Sequence, residues 1–201
     1  MEASYFSRHP LLKDGLNLAI FVVLVIIGTV LINTFIFRSY NVVGPSMEST
    51  LYTGDRLLVS RLPVTWSHIR GESYVPKRGQ VIVFENPQVT ASGNVEDKYI
   101  VKRVIAFAGE RVVLKNGHYT VYNEGHPNGF NPDEKTPDVT APTTTGEVDT
   151  VVPENEIFVS GDHREGTYSY DSRNGLGTIP LYDVIGPAKL RIFPFTKLRG
   201  F

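Results

Sequence analysis

Cysteine is absent from this chain of 201 residues. That excludes a disulfide scaffold, cysteine-ligated zinc or iron–sulfur, and thiol catalysis together, while leaving the redox compartment open. The five histidines, His9, His68, His118, His126 and His163, show neither HExxH spacing nor any i, i+4 pair. A catalytic metal therefore has no support in the sequence, and none is expected. Cofactor signatures are missing as well: no P-loop, no GxGxxG after a strand, and no GxSxG nucleophile elbow. Neither sign of charge dominates, with 20 Lys+Arg against 21 Asp+Glu. The broad positive field of a nucleic-acid binder is thus not expected, nor is there a helix-turn-helix region. Hydrolysis by paired carboxylates has no pointer. No repeat, heptad array or inter-domain linker is visible, and the length suits one domain, alone or with an anchor.

One long apolar run is present. No charged residue occurs from Gly15 to Phe37, and Leu16 to Phe37 supplies 22 mostly apolar positions. As a helix these span roughly 33 Å, enough for a hydrocarbon core of about 30 Å. A buried globular helix would rarely be apolar on every face for so long. A cleaved signal peptide has a shorter apolar core followed by small residues, whereas Arg38-Ser39-Tyr40 follows here, so an uncleaved signal-anchor is expected. Arg8 and Lys13 precede the span and Arg38 follows it, which only leans towards an inside N-terminus.

Residues 38–201 read as one β-rich unit. Short β-branched runs recur at Tyr40 to Val43, Arg56 to Val59, Gln80 to Phe84, Tyr99 to Ile105, Arg111 to Leu114, Thr120 to Tyr122, Ile157 to Ser160 and Asp183 to Ile192. Turn signals such as Thr53-Gly54-Asp55 and Asn116-Gly117 separate them, and few windows show helical periodicity. The organisation expected is a tail over 1–15, a span over 16–37 and a domain of packed or coiled sheets over 38–201. Within that domain 124–153, rich in Pro, Gly, Thr and Asn, reads as a surface excursion poor in core residues.

Two segments bear chemistry. In VVGPSMESTLYTGD, Ser46 sits on a Gly-Pro turn directly after a short strand. Gly44 permits close backbone approach and Pro45 restricts φ, so the Ser46 N–H could face an incoming carbonyl oxygen; such a turn is more often purely structural. Ser46 follows Phe37 by nine residues, at most about 30 Å of extended chain. The serine is therefore expected near the membrane surface, with the apolar Met47 to Leu51 stretch at the interface. In DKYIVKRVIAFAGE, strand alternation places Lys102 on the face of Ile100 and Val104. Burial would lower its pKa and make it a general base; the alternative is a lysine snorkelling from an edge strand.

These residues carry a family resemblance. Gly44 to Met47 (GPSM), TGDRLLVSRLP with KRGQVIVFENP, YIVKRVIAFAGE, and GDHREGTYSYDSRNGLGTIP resemble, in order, the conserved boxes of type I signal peptidases of the single-anchor Gram-positive form. The resemblance implies a membrane-bound serine endopeptidase with a mainly β fold: one transmembrane helix, then a catalytic domain of coiled antiparallel sheets. Its chemistry would be a Ser-Lys dyad, with Ser46 as nucleophile and Lys102 as general base. Ser169 would orient the lysine, and the Ser46 N–H, with Gly44 in place of a hydroxyl-bearing residue, would supply the oxyanion site. The signal peptide would bind in extended form along Asn41, Val42 and Val43 and along Tyr99, Ile100 and Val101, with Val43, Met47, Leu51 and Val101 lining pockets for small side chains, as at Ala-x-Ala sites. Asp162, Arg164, Asp171 and Arg173 read as an ion-paired loop platform.

The partners implied are secretory preproteins and membrane lipid, with no cofactor, metal or nucleic acid, and the catalytic domain would be extracytoplasmic. Departures are Ser49 for a usual Pro, Ala106 and Ala108 for Gly and Pro, His163 for Asn, and four residues in place of two between Arg164 and Ser169. A non-proteolytic anchored homologue that assembles pili or surface proteins is the alternative, which retention of both Ser46 and Lys102 argues against. A surface ligand-binding domain is a further one, which four ordered blocks argue against.

Overall fold

The computed structural model describes residues 10–88, 98–134, 136, 139 and 143–201. Helix α1 (Pro10–Leu31) runs into a π-helical turn (Ile32–Ile36) and directly into strand β1 (Phe37–Asn41). The helix starts before the apolar run because Pro10 suits a first-turn position and Leu11 and Leu12 extend the helical sequence. None of the 18 most apolar consecutive positions of Leu11–Ile36 is buried, as a membrane span requires of a lone helix. Near its end Thr29 Oγ1 donates to Val25 O and Asn33 Nδ2 to Thr29 O, side-chain bonds that compete with the α ladder just before it widens.

The domain continues with β2 (Arg56–Ser60), a short helix α2 (Leu62–Ile69), β3 (Val81–Glu85), β4 (Tyr99–Phe107), β5 (Arg111–Lys115), β6 (His118–Asn123), β7 (His126–Phe130), β8 (Val148–Val151), β9 (Glu156–Ser160), β10 (Ile179–Pro180), β11 (Val184–Phe193) and β12 (Arg199–Gly200). The larger sheet has the order β1-β2-β11-β3-β4-β9-β10, with β12 beside β11, and the smaller β7-β6-β5-β8. All pairings among them are antiparallel. The fold is thus mainly β with curled antiparallel sheets behind one apolar helix.

Strand β11 produces the curl. Its first half pairs with β3 and its second with β2, with register shifts after Val184 and after Ala188. Gly186 takes φ +153, and a Cβ there would collide with Ser60 O, so only glycine lets β2 approach at the bend. Curling creates three cores. One holds Met47, Leu51, Leu57, Val59, Val81 and Val83; another gathers Ile82, Phe84, Val104, Val159 and Ile179; the last, under the smaller sheet, has Ile105, Leu114, Tyr119, Val121 and Phe158.

The strands expected from the sequence form within a few residues of their anticipated limits, and α2 is an addition. The 124–153 segment is more than an excursion. It contributes β7 and β8 to the smaller sheet, Val152 to a core, and Asp133 to a bidentate pair with the fully buried Arg164. Its polar composition concealed this because β7 and β8 are edge strands with little buried surface. Part of the segment, with 1–9 and 89–97, lies outside the described residues.

Candidate active site

The turn after β1 is tied down before it reaches Ser46. Val42 N donates to Asp55 O at 2.8 Å and Gly54 N to Val42 O at 3.0 Å, while Gly44 takes φ +87. Beyond the serine, Thr50 N and Leu51 N both donate to Met47 O at 2.8 Å, making a compact turn. Met47 and Leu51 are its apolar anchors: both are fully buried in the core. Neither is among the residues lining the cleft in front of Ser46, whereas Leu57 and Val83 of the same core are, so a place for Met47 and Leu51 in a substrate pocket stays a proposal. A sequence in which apolar and polar residues alternate around a turn does not reveal which side faces the core.

Lys102 reaches the serine from β4. It is 3 % exposed, and its Nζ lies 2.8 Å from Ser46 Oγ and 3.0 Å from Val101 O. Burial pulls its pKa from 10.5 down to about 8; Asp171 and Asp162 oppose the fall and Arg173 adds to it. The neighbouring Arg103, on the other face of β4, is equally hidden, with Nε 2.7 Å from Asp162 Oδ1 and Nη2 on Asp162 Oδ2. Thr50 Oγ1 also donates to Asp162, so this carboxylate joins the nucleophile turn to the lysine strand.

The loop after β9 closes the site. Gly161 N donates to Asp171 Oδ2 at 2.9 Å, and Arg164 Nε donates to Gly161 O at 2.8 Å. Arg173 pairs with Asp171 and donates to His163 O, Arg164 O and Thr145 O. All four charged residues singled out in this loop thus have charged or main-chain partners. His163 N donates to Ser46 O at 3.1 Å, and its Nδ1 lies 3.2 Å from Pro45 O. Sequence reading overlooked Gly161: a Cβ there would fall well inside contact distance of both Ser169 Oγ and Ser46 O. Its place in the GDHR block was the only signal.

Ser169 comes to this place but not to the lysine. It is fully buried against Gly161, and its Oγ has no hydrogen-bond partner. The loop preceding it, longer than the family pattern, stacks Tyr168 on the His163 ring at 4.6 Å between centroids.

A cleft of about 590 Å³ opens in front of the pair, and both Ser46 and Lys102 line it. Asn41 to Gly44 form one wall and Tyr99 to Val101 the other. β9 begins pairing with β4 only at Arg103, so among the described residues the edge of Tyr99 to Val101 away from β3 carries no strand. Val43, 76 % exposed, stands opposite it. Sequence reading also missed Tyr40, Leu57, Val83, Asn86, Gln88, Tyr168 and Tyr170, which line the cleft as well. Tyr170 Oη donates to Gln88 Oε1 at 2.7 Å, closing the rim across a separation in sequence that no local pattern encodes.

Comparison with known proteins places the chain in a family. A family model described as "Signal peptidase, peptidase S26" matches residues 15–193. "Signal peptidase I" of Bacillus licheniformis is 32 % identical over 182 residues, covering 89 % of this chain and 88 % of the relative. "Signal peptidase I T" of Bacillus subtilis is 34 % identical over 182 residues, covering 89 % and 85 %. A solved signal peptidase I from Enterococcus faecalis, 24 % identical, covers 56 % of this chain and 96 % of its own, with a TM-score of 0.38, a likeness too low to add to the assignment. A family model spanning nearly the whole chain, and relatives matched over most of their length, establish that it belongs to the signal peptidase family, peptidase S26, as an enzyme of the signal peptidase I type.

Proposed function

We propose that the chain removes signal peptides from secreted preproteins after small residues of the Ala-x-Ala kind, with Ser46 as nucleophile and Lys102 as general base. The observation that carries this is the 2.8 Å approach of a buried Lys102 Nζ to Ser46 Oγ. With its pKa lowered to about 8, the lysine is partly neutral near pH 7 and can accept the Ser46 hydroxyl proton as Oγ attacks the scissile carbonyl. Protonated, it returns that proton to the leaving amine. The Ser46 N–H donates to no acceptor among the described residues and is free for the developing oxyanion; with Gly44 two residues earlier, a second donor would be main chain. Ser169 would orient the lysine, a role that requires its buried Oγ, unpartnered in this structure, to turn towards Lys102 Nζ.

The substrate adds as an extended strand between Asn41–Val43 and Tyr99–Val101, along the edge of Tyr99 to Val101 that carries no strand among the described residues. Val43 and Val101, which line the cleft, would contribute to the shallow pockets that take the small side chains. α1 holds the enzyme in the membrane with its N-terminus cytoplasmic and the cleft outside, confining the search for substrate to two dimensions. The test is incubation of the full chain in lipid with a preprotein whose signal ends in Ala-x-Ala, the cut being located by mass spectrometry. Ser46→Ala and Lys102→Met should both abolish it. Substantial turnover by either variant would overturn the assignment.

A further inference from the structure

Helix α2 packs one side against the protein and leaves an apolar side uncovered among the described residues. At about 100° per residue, Val64 and Ser67 share one side of the helix and are buried. Leu62, Trp66 and Ile69, at i, i+4 and i+7, share the opposite side and are 49, 60 and 72 % exposed. A contiguous Leu-Trp-Ile stripe facing water is an unusual thing for a monomeric domain to leave uncovered. The surroundings of α2 say what covers it. Arg61 N donates to Ile36 O at 2.7 Å and Thr65 Oγ1 to Phe35 O at 3.0 Å. The first turn of α2 is therefore bonded to the last turn of the apolar span, where hydrocarbon gives way to headgroups.

We propose that α2 is an interfacial helix, its Leu62, Trp66 and Ile69 face immersed in the outer boundary of the same bilayer that α1 crosses. The inference rests on reading α1 as a membrane span and is independent of the dyad. Length and composition suit the role. Eight residues make a rod of about 12 Å, short enough to lie in the headgroup region from its bonded end outward. Tryptophan is the side chain that favours the boundary, with an apolar body and an N–H that stays hydrated. Arg70 follows the helix and His68 lies on its flank, both exposed, where anionic headgroups would meet them. The Arg70 pair with Glu72 spans 3.5 Å between side chains more than half exposed, so it does not withdraw the arginine from such contacts.

The consequence is mechanical. α1 passes into β1 without a loop, so the helix alone would leave the domain able to roll about the span axis. A second contact at α2 fixes that roll, and with it the direction in which the cleft faces the membrane.

Trp66 is the single tryptophan of the chain, so its fluorescence reports this contact directly. The full-length protein is reconstituted into vesicles of phosphatidylcholine and phosphatidylglycerol, with and without acyl-brominated lipid, and co-flotation confirms insertion. The expected result is loss of most Trp66 emission to brominated lipid and little loss to aqueous iodide. Leu62→Gln with Ile69→Gln should reverse that order while leaving cleavage of a short soluble peptide unchanged. A floating protein quenched by iodide but not by bromine overturns the inference and leaves the span intact. Emission protected from both quenchers overturns it too, since a protein would then cover the face. Failure to float removes the span and the inference with it, leaving dyad cleavage of soluble peptide as a separate result.

Discussion

Replacing Lys102 by methionine tests both halves of the proposed chemistry, because the same buried charge that makes the lysine a base also costs stability. With its pKa lowered from 10.5 to about 8 in the fold, the free energy of keeping Lys102 protonated there is about 3 kcal/mol, each pK unit being about 1.4 kcal/mol. Below pH 8 the lysine is protonated folded and unfolded, and the whole cost is in place. Between pH 8 and 10.5 the unfolded chain holds the proton that the folded one has lost, so stability rises with pH. Lys102→Met has no such cost, although it loses two hydrogen bonds worth about 1 kcal/mol each. The stability of the variant minus that of the unaltered enzyme should therefore shrink by about 2 to 3 kcal/mol from pH 7 to pH 10. Other titrating groups cancel in this difference. Denaturant unfolding of both proteins in detergent at the two pH values measures it. In parallel, kcat/KM of the unaltered enzyme should rise about tenfold per pH unit up to pH 7 and level off above pH 8, following the neutral fraction of the lysine. A stability difference that does not change with pH, or a rate profile governed by a group near pH 6.5, would refute the reasoning.

Gly161→Ala places a methyl against Ser46 O and Ser169 Oγ, so the nucleophile turn must shift; kcat should fall about 100-fold with KM changed far less, and an unaltered kcat would argue against the close packing. Met47→Ala should cost about 2–5 kcal/mol of stability and leave the preference for the residue before the cut unchanged, as read by denaturant unfolding and a peptide panel; the reverse pattern would place Met47 in the substrate pocket. Asp162→Asn leaves the Arg103 guanidinium buried without its counter-charge and should destabilise by about 3–5 kcal/mol, with partial recovery when Arg103→Met is added; a neutral single substitution would contradict the buried pair.

The sequence by itself determined the features that depend on local pattern. An uncharged apolar run longer than a bilayer core can only be satisfied as a helix with no buried face, and α1 is one. Alternation within YIVKRVIAF put Lys102 with the apolar positions, and strong β-branched runs marked most strands of the larger sheet. The ordered boxes located the serine and lysine because their neighbours in sequence, Gly-Pro on one side and a β-strand on the other, are the elements that hold them. Tertiary structure decided whatever depends on which face is covered. Met47 and Leu51 look the same in sequence whether or not they face a cleft, and only the packing of the turn against Leu57, Val59, Val81 and Val83 buries them. Arg103 and Asp162 are distant in sequence and meet because β4 and the loop after β9 are brought together; the same packing sets Gly161 between Ser46 and Ser169. The edge strands β7 and β8 escaped notice because they bury too little apolar surface to leave a pattern. Helix α2 escaped for a related reason: its buried Val64 and Ser67 and its exposed Leu62, Trp66 and Ile69 blur the helical period, and only the bonds to Phe35 and Ile36 join it to the end of the apolar helix.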